Sequence, residues 1–186
     1  PRASFVSFLF SMLKILKKII KIKNNDVEEA IIELENLNKK ISSSNLTQSN
    51  PALELAKWLT GIPLIYYPHG LESAAIRFKN SLQENAKMHV FSEDVIEACH
   101  NGVVAWEKKS NVQPIILQGK DDYIKTKQRW GILKNYFKEN RIDYWEIESI
   151  KGNILSKLVC MIYLLDFSSI YKSVIEQLDP SPVKSI

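Results

Sequence analysis

The chain has 186 residues and a formal net charge of +4, which is enough for one domain of ordinary size with a buried core, plus an appendage. Its 45% hydrophobic and 25% charged residues exclude a disordered or fibrous chain and are typical of a globular protein. The basic run from Lys14 to Lys23 lacks the interleaved aromatic residues that stack on bases, which argues against nucleic-acid binding. Cys99 and Cys160 lie among apolar residues, away from any metal-ligand spacing, which predicts buried, reduced thiols and no metal site.

The first predicted element is a helix over residues 5–22, in which the apolar residues come first and the lysines late. Its uncharged run is shorter than the roughly 20 residues that cross a bilayer. The order of charge and apolar residues is also not that of a secretory signal. Two interpretations remain open. We favour packing of this helix against another domain or subunit over binding to acidic lipid as an amphipathic surface helix.

A second helix is predicted over residues 27–41, with the sequence Asn24-Asn25-Asp26 able to cap it. Its apolar residues recur on one face: Ala30, Ile31, Leu34, Leu37 and Ile41. The stretch 42–50 is the most polar and linker-like of the chain. We therefore predict a helical interdomain segment over residues 1–50 and a second domain over residues 51–186.

Strands and helices alternate through the second domain. The strands are predicted at 62–67, 88–91, 113–118 and 143–148. The helices are predicted at 51–60, 71–86, 93–106 with Ser92 as its N-cap, about 121–140 with Asp121 or Asp122 as its cap, and 153–178. This alternation predicts an α/β fold, a three-layer sandwich whose parallel sheet is covered on both faces. Because the last helix is apolar almost all round over 154–165, burial between layers fits it better than membrane crossing.

Ligands collect beyond the carboxyl ends of the strands in sheets of this kind, and three features fall there. His69 follows the first strand, although a plain turn with Gly70 is the simpler interpretation. The loop 119–122 is either an anion site or a helix cap. The stretch 149–156 leads a helix N-terminus, whose N–H groups and dipole favour phosphate, but it lacks a Ser/Thr-rich phosphate loop.

Two side chains suited to proton transfer lie in the stretch 77–106. Glu84 is expected in the last turn of a packed helix, and His100 lies in a second segment of helical spacing. A carboxylate and an imidazole are the groups most used to move protons near neutral pH. Taken alone, however, Glu84 is more often solvated or paired with Lys87, and His100 is more often a structural histidine. Composition and spacing do not decide between these interpretations.

Several sequence motifs of the chain resemble those of a known enzyme family. RFKNSLQENAK and EACHNGVVAWE resemble the second sugar-isomerase (SIS) domain of the bifunctional phosphoglucose/phosphomannose isomerases of archaea and some bacteria. The likeness continues through GKDDYIKTKQRWGILKNYF and GNILSKLVCMIYLLDFSSIY into DPSPV, so it covers nearly all of the chain after about residue 51 and more loosely the part before. The resemblance implies a flavodoxin-like SIS domain in a cytoplasmic homodimer. The implied enzyme interconverts glucose 6-phosphate and mannose 6-phosphate with fructose 6-phosphate, without a metal or an organic cofactor and without a membrane or nucleic-acid partner.

The resemblance also implies roles for four residues. Glu84 matches the base that shuttles a proton between C1 and C2 of the sugar through a cis-enediol. His100 matches the histidine that opens the sugar ring from the neighbouring subunit of the homodimer. Arg2, on a shorter match, stands where an arginine stabilises the enediolate charge. Ser181 stands where the family often has a threonine that helps accept both epimeric substrates.

The sequence departs from the family pattern in two places. It has no counterpart of the first SIS domain with its serine/threonine phosphate loop, and none of the lysine that follows the DPSPV region, for which Lys184 is too early. We therefore expect the chain to be the carboxyl-terminal half of an isomerase that is inactive alone. Two alternatives stay open: a non-catalytic SIS module that binds sugar phosphate or mediates dimerisation, as in sugar-responsive regulators, and a purely structural dimerisation fragment. Glu84, His100 and Arg2 favour the enzyme over both.

Overall fold

A computed structural model describes residues 4–183 of the chain. The helices in this part are α1 (Phe5–Ile15), α2 (Asn24–Ile41), α3 (Pro51–Trp58), α4 (Glu72–Asn85), α5 (Val95–Ala98), α6 (Ile124–Glu139) and α7 (Ile154–Ile175). The strands are β1 (Ile62–Tyr67), β2 (Phe91–Asp94), β3 (Val112–Gln118) and β4 (Trp145–Glu148). Two 3₁₀ helices, Leu16–Lys18 and Gly102–Glu107, follow α1 and α5.

The four strands form one parallel sheet in the order β2-β1-β3-β4. In the register, Ile65 of β1 lies opposite Ser92 of β2 and Ile115 of β3. Because β1 and β2 are parallel neighbours, α4 has to return the chain from the carboxyl ends of the strands to their amino ends. The last turn of α4, which carries Glu84, therefore lies toward the amino edge of the sheet.

The strand residues alternate between two helical layers, as the pleat requires. Ile65 and Ile115 are fully buried against α3, α4 and α7, whereas Tyr66 and Ile116 are fully buried against α5 and α6. Each large apolar side chain removed from water in this way contributes on the order of 2–3 kcal/mol before entropy is counted. The predicted α/β three-layer sandwich with a parallel sheet is confirmed.

Helix α7 packs on both sides. One side contacts the sheet through Met161 and Leu165, and the other contacts Ala30 of α2 through Val159 and Cys160. Burial raises the pKa of the Cys160 thiol to about 12. By length and composition α7 is the one helix among the described residues that is apolar enough to cross a membrane, with a mean hydropathy of 1.6, but 56% of its most apolar stretch is buried inside the molecule. Its apolar surface is explained by the two layers that cover it, as predicted.

The polar stretch before α3 contains no helix or strand, but its last residue is firmly held. Asn50 is fully buried, and its side-chain oxygen accepts hydrogen bonds from two N–H groups in the first turn of α3, both at 3.0 Å. Its amide group donates to the Ile41 carbonyl at 3.1 Å, and the Tyr171 hydroxyl donates to the same carbonyl at 2.6 Å. These bonds tie the end of α2 to α3 and α7. The domain boundary after residue 50 stays a prediction.

The region around His100 differs most from its prediction. Strand β2 begins three residues later than expected, and Ser92 lies within it rather than at a helix N-cap. The reason is tertiary: Ser92 and Glu93 pair with Ile65 and Tyr66 of β1, and this ladder outweighs local helix preference. The predicted helix over 93–106 is replaced by α5, a turn that holds His100, and a 3₁₀ helix.

The predicted caps of α6 are also wrong. The helix begins at Ile124, and its N-cap residue makes no side-chain cap bond. The Asp122 carboxylate instead accepts from the Gly119 N–H at 2.9 Å and from the Trp130 indole N–H at 3.1 Å. Asp121 forms an ion pair with Lys157 at 2.7 Å. Asp122 is therefore engaged by a loop N–H and by an indole within α6, and Asp121 by a lysine 36 positions away, so neither caps the first turn of the helix.

The two N-terminal helices need smaller corrections. Helix α1 ends at Ile15 rather than near residue 22, and a 3₁₀ turn continues from it. Helix α2 starts at Asn24, three residues early, where the Asp26 carboxylate accepts from the Lys23 N–H at 3.1 Å. Ile31 was expected on the buried face but is 46% exposed, because the face that contacts α7 is centred on Ala30. The other predicted ends differ from the observed ones by up to three residues.

Candidate active site

The carboxyl-terminal half of α4 presents two different faces. Phe78 and Leu82 are fully buried in the core beneath the helix. Arg77, Ser81 and Glu84, spaced four and three residues apart, lie on the face that lines a cavity between α4 and α7. The three- and four-residue periodicity that buries the apolar side of the helix therefore also sets Glu84 at the cavity.

The cavity has a volume of about 440 Å³. Its aromatic lining comes from the start of α1 and from α7, with Phe5, Tyr163 and Phe167. Glu84 and Ser181, two of the residues expected in the site, both line it. The structure thus brings together a half-buried carboxylate and a hydroxyl that are 97 positions apart in the chain.

A charged network crosses the cavity wall. The Arg77 guanidinium donates from Nε to the Asp166 carboxylate at 3.1 and 3.2 Å and from Nη2 at 2.9 Å. The Ser81 hydroxyl donates to the same carboxylate at 2.6 Å. The guanidinium carbon also lies 4.9 Å from the centre of the Phe5 ring, a cation–π distance. The ion pair is about three-quarters buried, with side-chain exposures of 24% and 26%, so solvent screens it less than a surface pair.

A second set of bonds fixes the last turn of α4. The Asn85 side-chain amide donates to the Ser169 hydroxyl at 2.8 Å, and that hydroxyl donates to the Asp166 carbonyl at 2.7 Å. Asn85 and Ser169 are both buried. The contacts progress in the same direction along both helices, from Arg77 with Asp166 to Asn85 with Ser169, so α4 and α7 run side by side.

Lys87 joins the end of α4 to the carboxyl-terminal segment. Its ammonium donates to the backbone carbonyl of Glu84 at 2.6 Å and to that of Pro182 at 2.8 Å. Its φ of 56° places it in the left-handed region that commonly ends helices. The lysine expected as a charge partner of the Glu84 carboxylate thus contacts two carbonyl oxygens and holds the segment that carries Ser181 beside the helix end.

His100 lies apart from this cavity in the described part of the chain. His100 is exposed in the turn after α5, where its backbone N–H donates to the Glu97 carbonyl at 2.9 Å. It does not line the cavity that holds Glu84. Arg2 lies outside the described residues.

Two of the three features expected at the carboxyl edge, His69 and the loop 119–122, do not form an open anion site. His69 is exposed in a turn with Gly70, whose φ is +92°, which agrees with the simpler interpretation. In the loop 119–122, the Gly119 N–H is bound by Asp122, and the Lys120 N–H donates to the Ser149 hydroxyl at 3.0 Å. The Lys120 ammonium pairs with Glu148. The donors that would hold an anion therefore already have acceptors.

The amino end of α7 holds a carboxylate from the same chain. The Asn153 N–H donates to Glu29 of α2 at 3.1 Å, and the Ser156 N–H donates to the Asn153 side chain at 3.0 Å. The hydrogen bond from the Asn153 backbone is the main cause that lowers the pKa of the Glu29 carboxyl below its ordinary value. Glu29 thus takes the position that the helix dipole offers to an anion.

Arg77, Asp166 and Ser169 were missed by sequence reasoning, although the sequence carried two signals. Arg77, Ser81 and Glu84 follow helical spacing on one face. Asp166 is the single acidic residue in α7, and a buried apolar helix keeps a carboxylate only when a partner compensates its charge. Neither signal could have paired Asp166 with Arg77, since the two residues are 89 positions apart in the sequence. Within residues 4–183, no group of three or more His, Cys, Asp or Glu side chains is placed to hold a metal ion.

The parallel sheet between two helical layers is the architecture of SIS domains. A solved structure described as a glucose-6-phosphate isomerase like protein from Thermus thermophilus superposes with a TM-score of 0.69 at 16% identity, over 84% of this chain and 52% of that one. The sugar isomerase domain of the RpiR transcription factor from Sphaerobacter thermophilus superposes with a TM-score of 0.55 at 8% identity, over 82% of this chain and 90% of that one. At these identities the likeness defines the fold alone.

Sequence comparison identifies the family. The family model "Bacterial phospho-glucose isomerase C-terminal SIS domain" matches residues 48–186, and the chain belongs to this family. A bifunctional phosphoglucose/phosphomannose isomerase of Caldicellulosiruptor bescii is 28% identical over 196 aligned positions, which cover 100% of this chain and 57% of that protein. The chain therefore spans little more than half the length of this relative.

Proposed function

We propose that the chain is the catalytic C-terminal domain of an aldose–ketose isomerase, which interconverts glucose 6-phosphate and mannose 6-phosphate with fructose 6-phosphate. The observation that carries the proposal is the cavity that joins Glu84 to Ser181 in a chain of the phospho-glucose isomerase family. The Caldicellulosiruptor relative, a bifunctional phosphoglucose/phosphomannose isomerase, supports the pair of substrates. The reaction consumes no oxidant or reductant, because aldose and ketose are isomers, so the proposed enzyme needs no redox cofactor.

Glu84 is the proposed base. It takes the proton from C2 of the open-chain aldose and returns it to C1, through a cis-enediol, while a proton moves between the two oxygens. A positioned base of this kind contributes about 10²–10⁴-fold to the rate. Arg2 is proposed to face the negative charge that develops on the enediolate oxygen, where a fixed positive charge is often worth most. Ser181 is proposed to contact the sugar hydroxyls.

His100 is proposed to open the sugar ring from the neighbouring subunit of a homodimer. Its exposed position outside the Glu84 cavity supports this role. The chain segment 91–104, which contains His100, also exposes apolar side chains, with Phe91 at 59%, Ile96 at 52% and Val104 at 57%, and exposed apolar side chains are suited to burial between subunits. The free thiols Cys99 and Cys160 support a reducing, cytoplasmic location.

The shared site can be tested by mixing subunits. Glu84→Gln and His100→Ala homodimers should each be nearly inactive on cyclic substrate. If the two residues come from different subunits, a mixed dimer contains one intact site, so mixing the two variants should restore activity. Mixing without any recovery, when subunit exchange is demonstrated, would contradict the donation of His100.

The proposed activity is tested by a coupled assay with fructose 6-phosphate and mannose 6-phosphate. The assay compares the 186-residue chain with the full-length protein that contains it. We expect turnover by the full-length protein and none by the 186-residue chain, because the latter spans 57% of the Caldicellulosiruptor relative. A full-length protein that binds sugar phosphate without turnover would contradict the proposal.

That contrary result would favour the second candidate, a non-catalytic SIS module that binds sugar phosphate or mediates dimerisation. The observation in its favour is the superposition with the sugar isomerase domain of a transcription factor. The two candidates differ in what they require of Glu84. The enzyme loses its activity with Glu84→Gln, whereas a binding module keeps its affinity for sugar phosphate.

A further inference from the structure

The polar network between α4 and α7 brackets Glu84 in the chain. Ser81, three residues before Glu84, donates to the Asp166 carboxylate at 2.6 Å. Asn85, the residue directly after Glu84, donates to Ser169, which in turn donates to the Asp166 carbonyl. The Asp166 carboxylate therefore holds the turn of α4 just before Glu84, whereas Asn85 is held by Ser169, whose hydroxyl binds a backbone carbonyl of α7.

The location of Glu84 makes such anchoring necessary. It lies in the last turn of α4, and helix ends fray because their last carbonyl groups lack intrahelical partners. A displacement of about 1 Å at a reacting group costs on the order of 100-fold in rate. The apolar side of α4 is held by the core, but core packing alone leaves the rotation of the last turn less well defined than hydrogen bonds to a neighbouring helix do.

The charges in the network are arranged so that Asp166 can act as an anchor. Arg77 engages the carboxylate with two nitrogens, and this bidentate geometry fixes the direction of the carboxylate as well as neutralising it. The Arg77 and Asp166 side chains are 24% and 26% exposed. Removing either side chain of such a largely buried ion pair destabilises the folded protein, because the remaining charge is left without its partner.

We infer that Asp166 is a positioning residue for Glu84, which acts by holding the last two turns of α4 against α7, and that Arg77 orients Asp166. This inference rests on the proposed function, because it assigns a role relative to the proposed base. Asp166 itself touches neither reacting carbon in this assignment. Its effect is on the placement of the Glu84 carboxylate.

The test is Asp166→Asn in the full-length protein, with glucose 6-phosphate deuterated at C2 as substrate. We expect kcat to fall about 10–100-fold, in line with a displacement of the base by a fraction of an ångström to 1 Å. KM should change by no more than about 2-fold, because a displaced base weakens the transition state and not uniform binding. The deuterium isotope effect on kcat should rise, since proton transfer becomes slower relative to the other steps.

Two further variants keep the test decisive. Ser81→Ala removes one anchoring bond but leaves the ion pair, so it should shift kcat and the isotope effect in the same direction by a smaller factor, even if Asp166→Asn folds poorly. Asp121→Asn is the matched control: it breaks another ion pair, with Lys157 at 2.7 Å, at the opposite edge of the sheet. It should leave kcat and the isotope effect unchanged.

The outcomes separate the inference from the proposed function. An inactive wild-type protein overturns the proposed function and the inference with it. An active wild type whose Asp166→Asn and Ser81→Ala variants keep kcat and the isotope effect overturns the inference alone. A fall in kcat that matches the loss of folded protein, with an unchanged isotope effect, shows a merely structural role and also overturns it.

Discussion

The two ends of the α/β domain use similar polar groups in different ways. At the carboxyl edge of the sheet, where ligands are expected in folds of this type, the loop 119–122 and the amino end of α7 bind side chains of their own chain. In the groove between α4 and α7, which reaches toward the amino edge, polar groups surround a cavity of about 440 Å³ that contains Glu84.

The difference shows that a helix N-terminus or a polar loop is a ligand site only if its donors are not already bound. Glu29 is the clearest case, because a carboxylate from α2 lies where a phosphate could lie. Its effect is structural, since it fastens α2 to the amino end of α7. Glu84 is held near its backbone by Lys87 and through its neighbour Asn85 by α7, and the residue lines the cavity.

The largest effect that separates the two ends is expected from a pair of identical substitutions. Glu84→Gln in the full-length protein should lower kcat/KM by about 10²–10⁴-fold, because it removes the base while keeping size and shape. Glu29→Gln should leave kcat/KM unchanged. Coupled kinetics measures both, and thermal unfolding should show the reverse order, with Glu29→Gln the less stable. Equal loss of activity in both variants would break the distinction.

A second comparison uses two glycines. Gly152, just before α7, has φ of +120°, and a Cβ there would come within 2.0 Å of a Glu29 carboxylate oxygen. Gly152→Ala should therefore lower the free energy of unfolding by about 1–3 kcal/mol without changing KM.

Gly131 in α6 is the control, since a Cβ there meets nothing within 4 Å. Gly131→Ala should raise the free energy of unfolding by about 0.5–1 kcal/mol, because alanine restricts the unfolded chain and favours helix. Denaturant unfolding of both variants measures the difference. A Gly152→Ala variant as stable as wild type would show that the carboxyl edge is less tightly closed than its hydrogen bonds indicate.

The smallest expected effect is a pH dependence of stability. The hydrogen bond from Asn153 lowers the pKa of Glu29 in the folded protein below its ordinary value of 4.5. A group with a lowered folded-state pKa stabilises the fold above its unfolded pKa, and this contribution is lost as the pH falls through the folded-state pKa. The Tm difference between wild type and Glu29→Gln should thus be constant at neutral pH and shrink below about pH 4.5. A difference that persists at the lowest pH would contradict the ionic role of Glu29.

Much of the fold was predictable because its signals are local. The strand at 62–67 was predicted with its observed ends, since a short apolar run flanked by Gly61 and Pro68 has few alternatives. The parallel three-layer arrangement followed from the alternation of strands and helices. The segment around His100 was predicted wrongly because its helical spacing competes with pairing to β1, and propensity yields to tertiary pairing.

By itself, the sequence determined the alternation of elements, the apolar faces of the helices, and the pairing of Glu84 with Ser181 as candidate site residues through their family resemblance. Only the tertiary structure decided that Glu84 and Ser181 share one cavity and that the carboxyl-edge donors are occupied by Glu29, Asp122 and Ser149. It alone also paired Asp166 with Arg77. The physical reason is range, because periodicity and capping act over a few residues. Ion pairs and hydrogen bonds between α2, α4 and α7 join groups 84 to 130 positions apart, and whether such groups meet depends on how the layers pack.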